Sequence, residues 1–217
     1  MLVHTIYDSQ LLINKTEDKQ RGVFTMNEVI KTIMERRSVR AFLPEQIKDE
    51  ELETVLQAGL YAPSAHNQQS WHFTVITDQA MLEAMSQDAK EFARTFDDKL
   101  IQQLANNEKF QAFYHAPTVI YISGEEKAMM PDFDCAAAAE NMLLAAEAIG
   151  LGACCVGFSN FVFGSDKGAV HQQKLQLPDG YKPYIAIALG YKKAPSGKAP
   201  ARRAGTVNYV KAEGQNI

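Results

Sequence analysis

Cysteine is scarce: Cys135, Cys154 and Cys155 are the only three in 217 residues. Three cysteines with no CxxC pair and no metal-ligand spacing cannot build a disulfide framework. A reducing compartment is the simplest setting, and the chain is read as cytoplasmic. The adjacent Cys154 and Cys155 read as small buried residues before they read as a redox pair. Positive charge is also short. With 22 Lys and Arg against 26 Asp and Glu, the net charge is -4, which excludes a nucleic-acid binder working through bulk charge and a protein drawn to an anionic membrane surface. No apolar run approaches a membrane span, and the N-terminal MLVHTIYDSQLLINK has no basic region ahead of a long apolar one, so neither a membrane segment nor a secretory leader is expected. There is no GxGxxG, no Walker pattern, no GxSxG and no HExxH. Internal repeats, low-complexity blocks and clean linkers are missing too. Residues 1–25 are therefore read as an N-terminal extension, docked or frayed, and 26–217 as one domain. A composition of 46% hydrophobic and 22% charged residues suits a sizeable buried core.

What is present is organised around Pro131 to Gly157. Asp132 and Asp134 stand where a helix N-terminus favours negative charge, an apolar run follows, and Gly150 supplies a left-handed stop, so the pattern predicts a helix over Asp132 to Ile149. Ala136 to Ala139, Ala145, Ala146 and Ala148 put small side chains on several of its faces, which marks it as central. After it, Ala153 to Gly157 is short, apolar and bounded by glycine, which suits a buried strand end or a loop where a ligand meets backbone.

Shorter helices are expected from Met26 to about Arg36, over Asp49 to Tyr61 and from about Asp166 to Leu175. Gln79 to Tyr114 reads as helical and polar, with Phe92, Phe96, Phe110, Phe113 and Tyr114 either anchoring two helices to the core or, for some of them, lining a pocket. Strands are expected at Trp71 to Thr77, Thr118 to Ser123 and Tyr184 to Tyr191, with a brief one at Thr206 to Val210. Few strands separated by long helical pieces indicate an α+β or three-layer fold.

Three features carry possible chemistry. Arg36, Arg37 and Arg40 cluster around Ser38; arginines near a helix C-terminus can simply oppose its dipole, but guanidinium forks beside a hydroxyl also suit phosphate oxygens. Arg202 and Arg203 form a second cationic site in the tail. Ser64, His66, Asn67, Gln68 and Gln69 crowd one loop, which is either a polar surface turn or a reader of a heterocycle's hydrogen-bonding edge. His66 and His72 have no carboxylate or cysteine at ligand spacing, which disfavours metal. Together these features suffice to hold a phosphorylated heterocycle.

The segments RRSVRAF, APSAHNQQSWHF, APTVIYI, DCAAAAENMLLAAEAIGLGACCVGF and ALGYKKAP with ARR occur in the order and spacing of the FMN-dependent nitroreductases, and from Met26 to Val210 the chain resembles that family. The resemblance implies an α+β three-layer fold, with a mainly antiparallel sheet flanked by helices, in an intertwined homodimer with FMN at the subunit interface. It implies that Arg36, Ser38, Arg203 and Arg202 hold the FMN phosphate, and that Arg37 lies along the ribityl chain. Arg40 would stand near flavin N1 and O2, favouring the anionic reduced flavin. Ser64, Asn67 and Gln69 would come from the partner subunit, and Cys155, Val156 and Gly157 would lie against the ring. No catalytic side chain is required, since FMN carries the chemistry. NAD(P)H is the implied co-substrate and nitroaromatics or quinones the acceptors, in a ping-pong cycle. The alternatives are a specialised flavin reductase of the same fold, of dehalogenase or enoate type, and a non-catalytic flavin-binding redox sensor. Two departures carry expectations of their own. Ser70 replaces the family's proline, which predicts a less rigid loop, and Cys155-Val156 replaces a bulky or acidic residue, which bears on pocket shape and substrate.

Overall fold

Helix starts follow the capping chemistry in the sequence. In the computed structural model, which describes residues 27–210, α1 (Glu28–Glu35) opens on Asn27, whose side chain accepts from Ile30 N. The α2 helix (Asp49–Leu60) has three acidic residues in its first turn, and Glu51 reaches back to Lys48 N at 2.9 Å. The polar stretch after β1 (Trp71–Ile76) divides into α3 (Gln79–Ala93) and α4 (Lys99–Asn106), each capped by an aspartate, Asp78 and Asp98. Residues 107–114 lie outside both helices, so the expected helical region is shorter than its polarity suggested. The remaining α-helices and strands are β2 (Thr118–Glu125), α5 (Pro131–Ala148), β3 (Gly152–Cys155), α6 (Phe161–Gly164), α7 (Gly168–Lys174) and β4 (Tyr181–Gly190), with short 3-10 turns at Ala65–Asn67 and Gly157–Asn160. The proposed N-terminal extension, 1–25, lies outside the described residues.

All four strands pair antiparallel, in the order β1-β2-β4-β3. Alternation along β2 divides the core. Val119 and Tyr121 face a layer with α3 and the aromatics of α6, whereas Ile120 and Ile122 face α5. Helices thus cover both faces, and the expected three-layer α+β fold is what forms. The fourth strand begins at Tyr181, earlier than the apolar run suggests; Pro183 is tolerated because the register shifts opposite it, between Ile122 and Ser123. Thr206 to Val210 is exposed and forms no strand among the described residues, because no edge of this sheet pairs with it.

The central helix buries Cys135, Ala138, Ala139, Met142, Leu143 and Ala146, and α2 packs on it closely at Gly59. A Cβ there would come within 2.2 Å of Met142 Cε. On the other side of the sheet Asp88 of α3 anchors α7: its oxygens meet His171 Nε2 and Lys167 Nζ, both at 2.7 Å. Burial alone would raise the Asp88 carboxyl, but the bonds from Lys167 and His171 together bring it below the usual carboxylate range.

The arginine-bearing segment after α1 runs along the sheet edge as a strap. Val39 N donates to Ala153 O at 3.1 Å, Leu43 N to Tyr191 O at 3.0 Å, and Lys193 N to Ala41 O at 3.1 Å. Gly152 permits this approach. A Cβ at that position would sit 2.8 Å from Val39 Cγ1.

Candidate functional site

The strap and the turn after β3 come together at the sheet edge. Arg36 caps α1, its N–H donating to Thr32 O at 2.9 Å, and its Nη1 is shut off from solvent with no partner among the described residues. Ser38 bridges to Ala153, beside Cys154, whose thiol donates to Cys155 O at 3.2 Å. Arg40 is exposed, with its guanidinium carbon 5.8 Å from the centroid of the Tyr114 ring. Arg37 turns away: Nε donates to Glu35 O at 3.0 Å and Nη2 donates to Met34 O, so this side chain satisfies the end of its own helix.

Alternation in β3 sends Cys154 and Cys155 to opposite faces. Burial lifts the Cys154 thiol above its ordinary range, against the pull of the Arg40 charge, the Ser38 hydroxyl and the Arg36 charge. Burial, aided by neighbouring Cys154, pushes the Cys155 thiol up to about 11. Val156 is buried, its N–H donating to Ala186 O at 2.8 Å, and it delivers an exposed Gly157. A Cβ built on Gly157 meets nothing within 4 Å, so open space lies against this backbone.

The amide loop is held elsewhere. His66, Asn67 and Gln69 take left-handed φ values of 50°, 55° and 50°, each costing on the order of 1–3 kcal/mol unless the surroundings impose it. The fastening comes from α5. The buried Asp134 accepts from Ala65 N at 2.9 Å through one oxygen and from the Ser70 hydroxyl at 2.7 Å through the other. Ser64 Oγ accepts from Gln69 N at 2.9 Å, Gln69 Nε2 donates to Asn67 Oδ1 at 3.1 Å, and Met129 N donates to Gln68 Oε1 at 2.9 Å. The expectation that Ser70 loosens this loop is therefore corrected. A buried hydroxyl bonded to a buried carboxylate supplies the restraint that a proline ring would otherwise give.

Two groups of expected site residues result, and one chain does not join them. The amide loop leads into Trp71, at the end of the sheet where Gly124 pairs with Lys182, while the strap meets Ala153, opposite Leu189. From Lys182 to Leu189 is about 23 Å of strand. Arg202 and Arg203 lie in an exposed tail, outside every helix and strand of the described residues. The sequence reading did not anticipate two contributors, Asp134, taken only for helix-end charge, and Gly152, hidden in an apolar run; Tyr114 was one of five aromatics read as core anchors or pocket lining, without being singled out.

This geometry suits a phosphorylated, planar ligand. An unpartnered buried guanidinium nitrogen calls for an anion, and bare backbone at Gly157 leaves room for a ring. Comparison with known proteins agrees. The model of the nitroreductase family matches residues 33–191. A protein of Archaeoglobus fulgidus, provisionally named NADH dehydrogenase/NAD(P)H nitroreductase, is 34% identical over 173 residues, 77% of this chain and 87% of its own. The FMN reductase (NADPH) of Bacillus subtilis is 29% identical over 185 residues, 81% of this chain and 70% of its own. Among solved structures, a Bacteroides fragilis nitroreductase with bound FMN superposes with a TM-score of 0.78 at 35% identity, covering 86% of this chain and all of that one (100%). The chain belongs to the nitroreductase family.

Proposed function

We propose that this protein is an FMN-dependent oxidoreductase that takes hydride from NAD(P)H and passes two electrons to an electron-poor acceptor, a nitroaromatic or a quinone, in a ping-pong cycle. The buried, unpartnered Nη1 of Arg36 carries this reading. A desolvated guanidinium N–H left unbonded is unfavourable, and a phosphate oxygen accepts from it with a strong charge-assisted bond. Bound FMN supplies the redox chemistry; the chain supplies position and charge. Arg36 and Ser38 hold the phosphate, joined by Arg203 and Arg202. Arg37 reaches the ribityl chain on releasing Glu35 O. Arg40 places positive charge where reduction adds negative charge. Cys155, Val156 and Gly157 form the backbone floor, and one open face admits first NAD(P)H and then the acceptor.

The functional unit is a homodimer in which the amide loop of one copy, with Ser64, Asn67 and Gln69, completes the site built on the strap of the other. Within one chain the two groups attach to opposite ends of the sheet, about 23 Å apart along β4. An apolar face agrees with this. None of α1 is buried, Val29 and Ile33 are 63% and 47% exposed, and beside them Leu144, Ala145 and Ala148 of α5 line an open cavity of about 360 Å³. A redox sensor working through Cys154 and Cys155 fits less well, since both thiols are held protonated and face apart.

The test is direct. The purified protein should be yellow, release FMN on denaturation, and oxidise NAD(P)H only when an acceptor is added, giving parallel double-reciprocal lines. A colourless protein that cannot be reconstituted with FMN overturns the flavin reading. Flavin without acceptor-dependent turnover overturns the enzymatic one.

A further inference from the structure

Arg40 is exposed, so something other than burial must fix where its charge stands. Tyr114 does so. The guanidinium carbon lies 5.8 Å from the Tyr114 ring centroid, within cation–π range. Tyr114 is also the leading influence raising the Arg40 pKa, ahead of neighbouring Cys154.

The backbone that presents this ring is strained. Tyr114 and His115 take consecutive left-handed φ values of 59° and 53°, a conformation that non-glycine residues keep only where the surroundings over-determine it. Here they do. Gln111 Oε1 accepts from Phe113 N at 2.7 Å and from His115 N at 3.1 Å, and Ser86 Oγ accepts from Ala112 N at 2.9 Å. Lys90 Nζ donates to Phe110 O at 3.0 Å, and the fully buried Phe113 packs edge-on against Tyr121 at 6.1 Å. The Tyr114 ring also rests on Phe110, at 6.2 Å, and Phe110 on Phe158, at 5.0 Å, the residue that follows Gly157. A short turn fastened to α3 and to the sheet thus aims one aromatic ring at one strap cation.

We propose that Tyr114 is a positioning residue for Arg40, holding the guanidinium at the strap so that its charge acts on the cofactor and is not lost to solvent. This inference rests on the flavin reading of the site. It requires no contact between Tyr114 and the cofactor.

The experiment is a redox titration of the FMN-loaded protein with Tyr114→Phe, Tyr114→Leu, Arg40→Ala and each Tyr114 change combined with Arg40→Ala, alongside FMN dissociation constants and thermal melts. Tyr114→Leu should lower the preference for reduced over oxidised FMN by about tenfold, which is about 30 mV for a two-electron couple. Tyr114→Phe keeps the ring and should lower it less. In the Arg40→Ala background neither change should move the potential. Equal shifts in both backgrounds would mean that Tyr114 acts without Arg40 and would overturn the proposal, as would unmoved potentials when Arg40 is intact. Should Tyr114→Leu fail to fold, the near-isosteric Tyr114→Phe pair decides alone. Failure of every protein to take up FMN removes the flavin reading and this proposal together, whereas a flavin-loaded protein with an unmoved potential removes only the role of Tyr114.

Discussion

A guanidinium nitrogen sealed from water with no partner among the described residues separates Arg36 from the other cations of the strap. Its phosphate contact would be made equally before and after reduction, so Arg36→Ala should weaken FMN binding by about 1–3 kcal/mol and leave the potential of the bound flavin unchanged. Arg40→Ala should do the reverse, lowering the potential while most of the affinity stays. Dissociation constants and redox titrations on the two variants check the pair; a potential shifted by Arg36→Ala alone would exchange their roles. Gly157→Val tests the open space, because nothing lies within 4 Å of a Cβ there: the protein should melt as the parent does yet hold FMN at least tenfold more weakly. Buried thiols set an alkaline limit. Burial first, then the Asp134 and Asp132 charges, push the Cys135 thiol up to about 12, so the folded chain keeps a proton that the unfolded chain gives up near pH 9. Stability is therefore intact below that pH and falls as pH rises toward 12, by up to about 1.4 kcal/mol per pH unit for each such thiol. Urea unfolding at pH 7.5 and 10.5 should show this fall, and Cys135→Ala should remove its share of it, leaving the part due to Cys154 and Cys155.

At the scale of elements, what the sequence declared were the parts that depend on near neighbours. The central helix was legible because Pro131, Asp132 and Asp134 mark its start and Gly150, at φ 87°, its stop. The strap was legible as an arginine cluster but not as an edge segment, since its register depends on Ala153, Tyr191 and Lys193, far along the chain. Asp134 was invisible as a loop anchor for the same reason: its bond to Ser70 spans 64 residues. The tie between Asp88 and His171 spans 83. Both strap and loop yield tests away from the site. Gly152→Ala should push Val39 off the sheet edge and weaken FMN binding although residue 152 touches no ligand; unchanged affinity would show that the strap adapts. Ser70→Ala leaves a buried carboxylate short of one bond and should cost about 1–3 kcal/mol in chemical unfolding.

For the whole molecule, the fold class, the family and the expectation of a shared site were legible only through the resemblance of five segments in order, because no residue pattern by itself reports the distance between Ala153 and Trp71. The proposed assembly is tested at the exposed face of α1 and α5. Ile33→Glu puts a charge into that face and should shift sedimentation toward a monomer that releases its flavin; a stable, flavin-loaded monomer would contradict the shared site. The separation of strap and loop also has a genetic meaning. Suppose Arg36→Ala and an Asn67 substitution each abolish turnover. In a hybrid of the two, one site collects both lesions and the other collects neither. Unfolding and refolding an equal mixture of the two dead proteins should then restore about a quarter of the sites, and two defective alleles in one cell should complement each other where either alone fails.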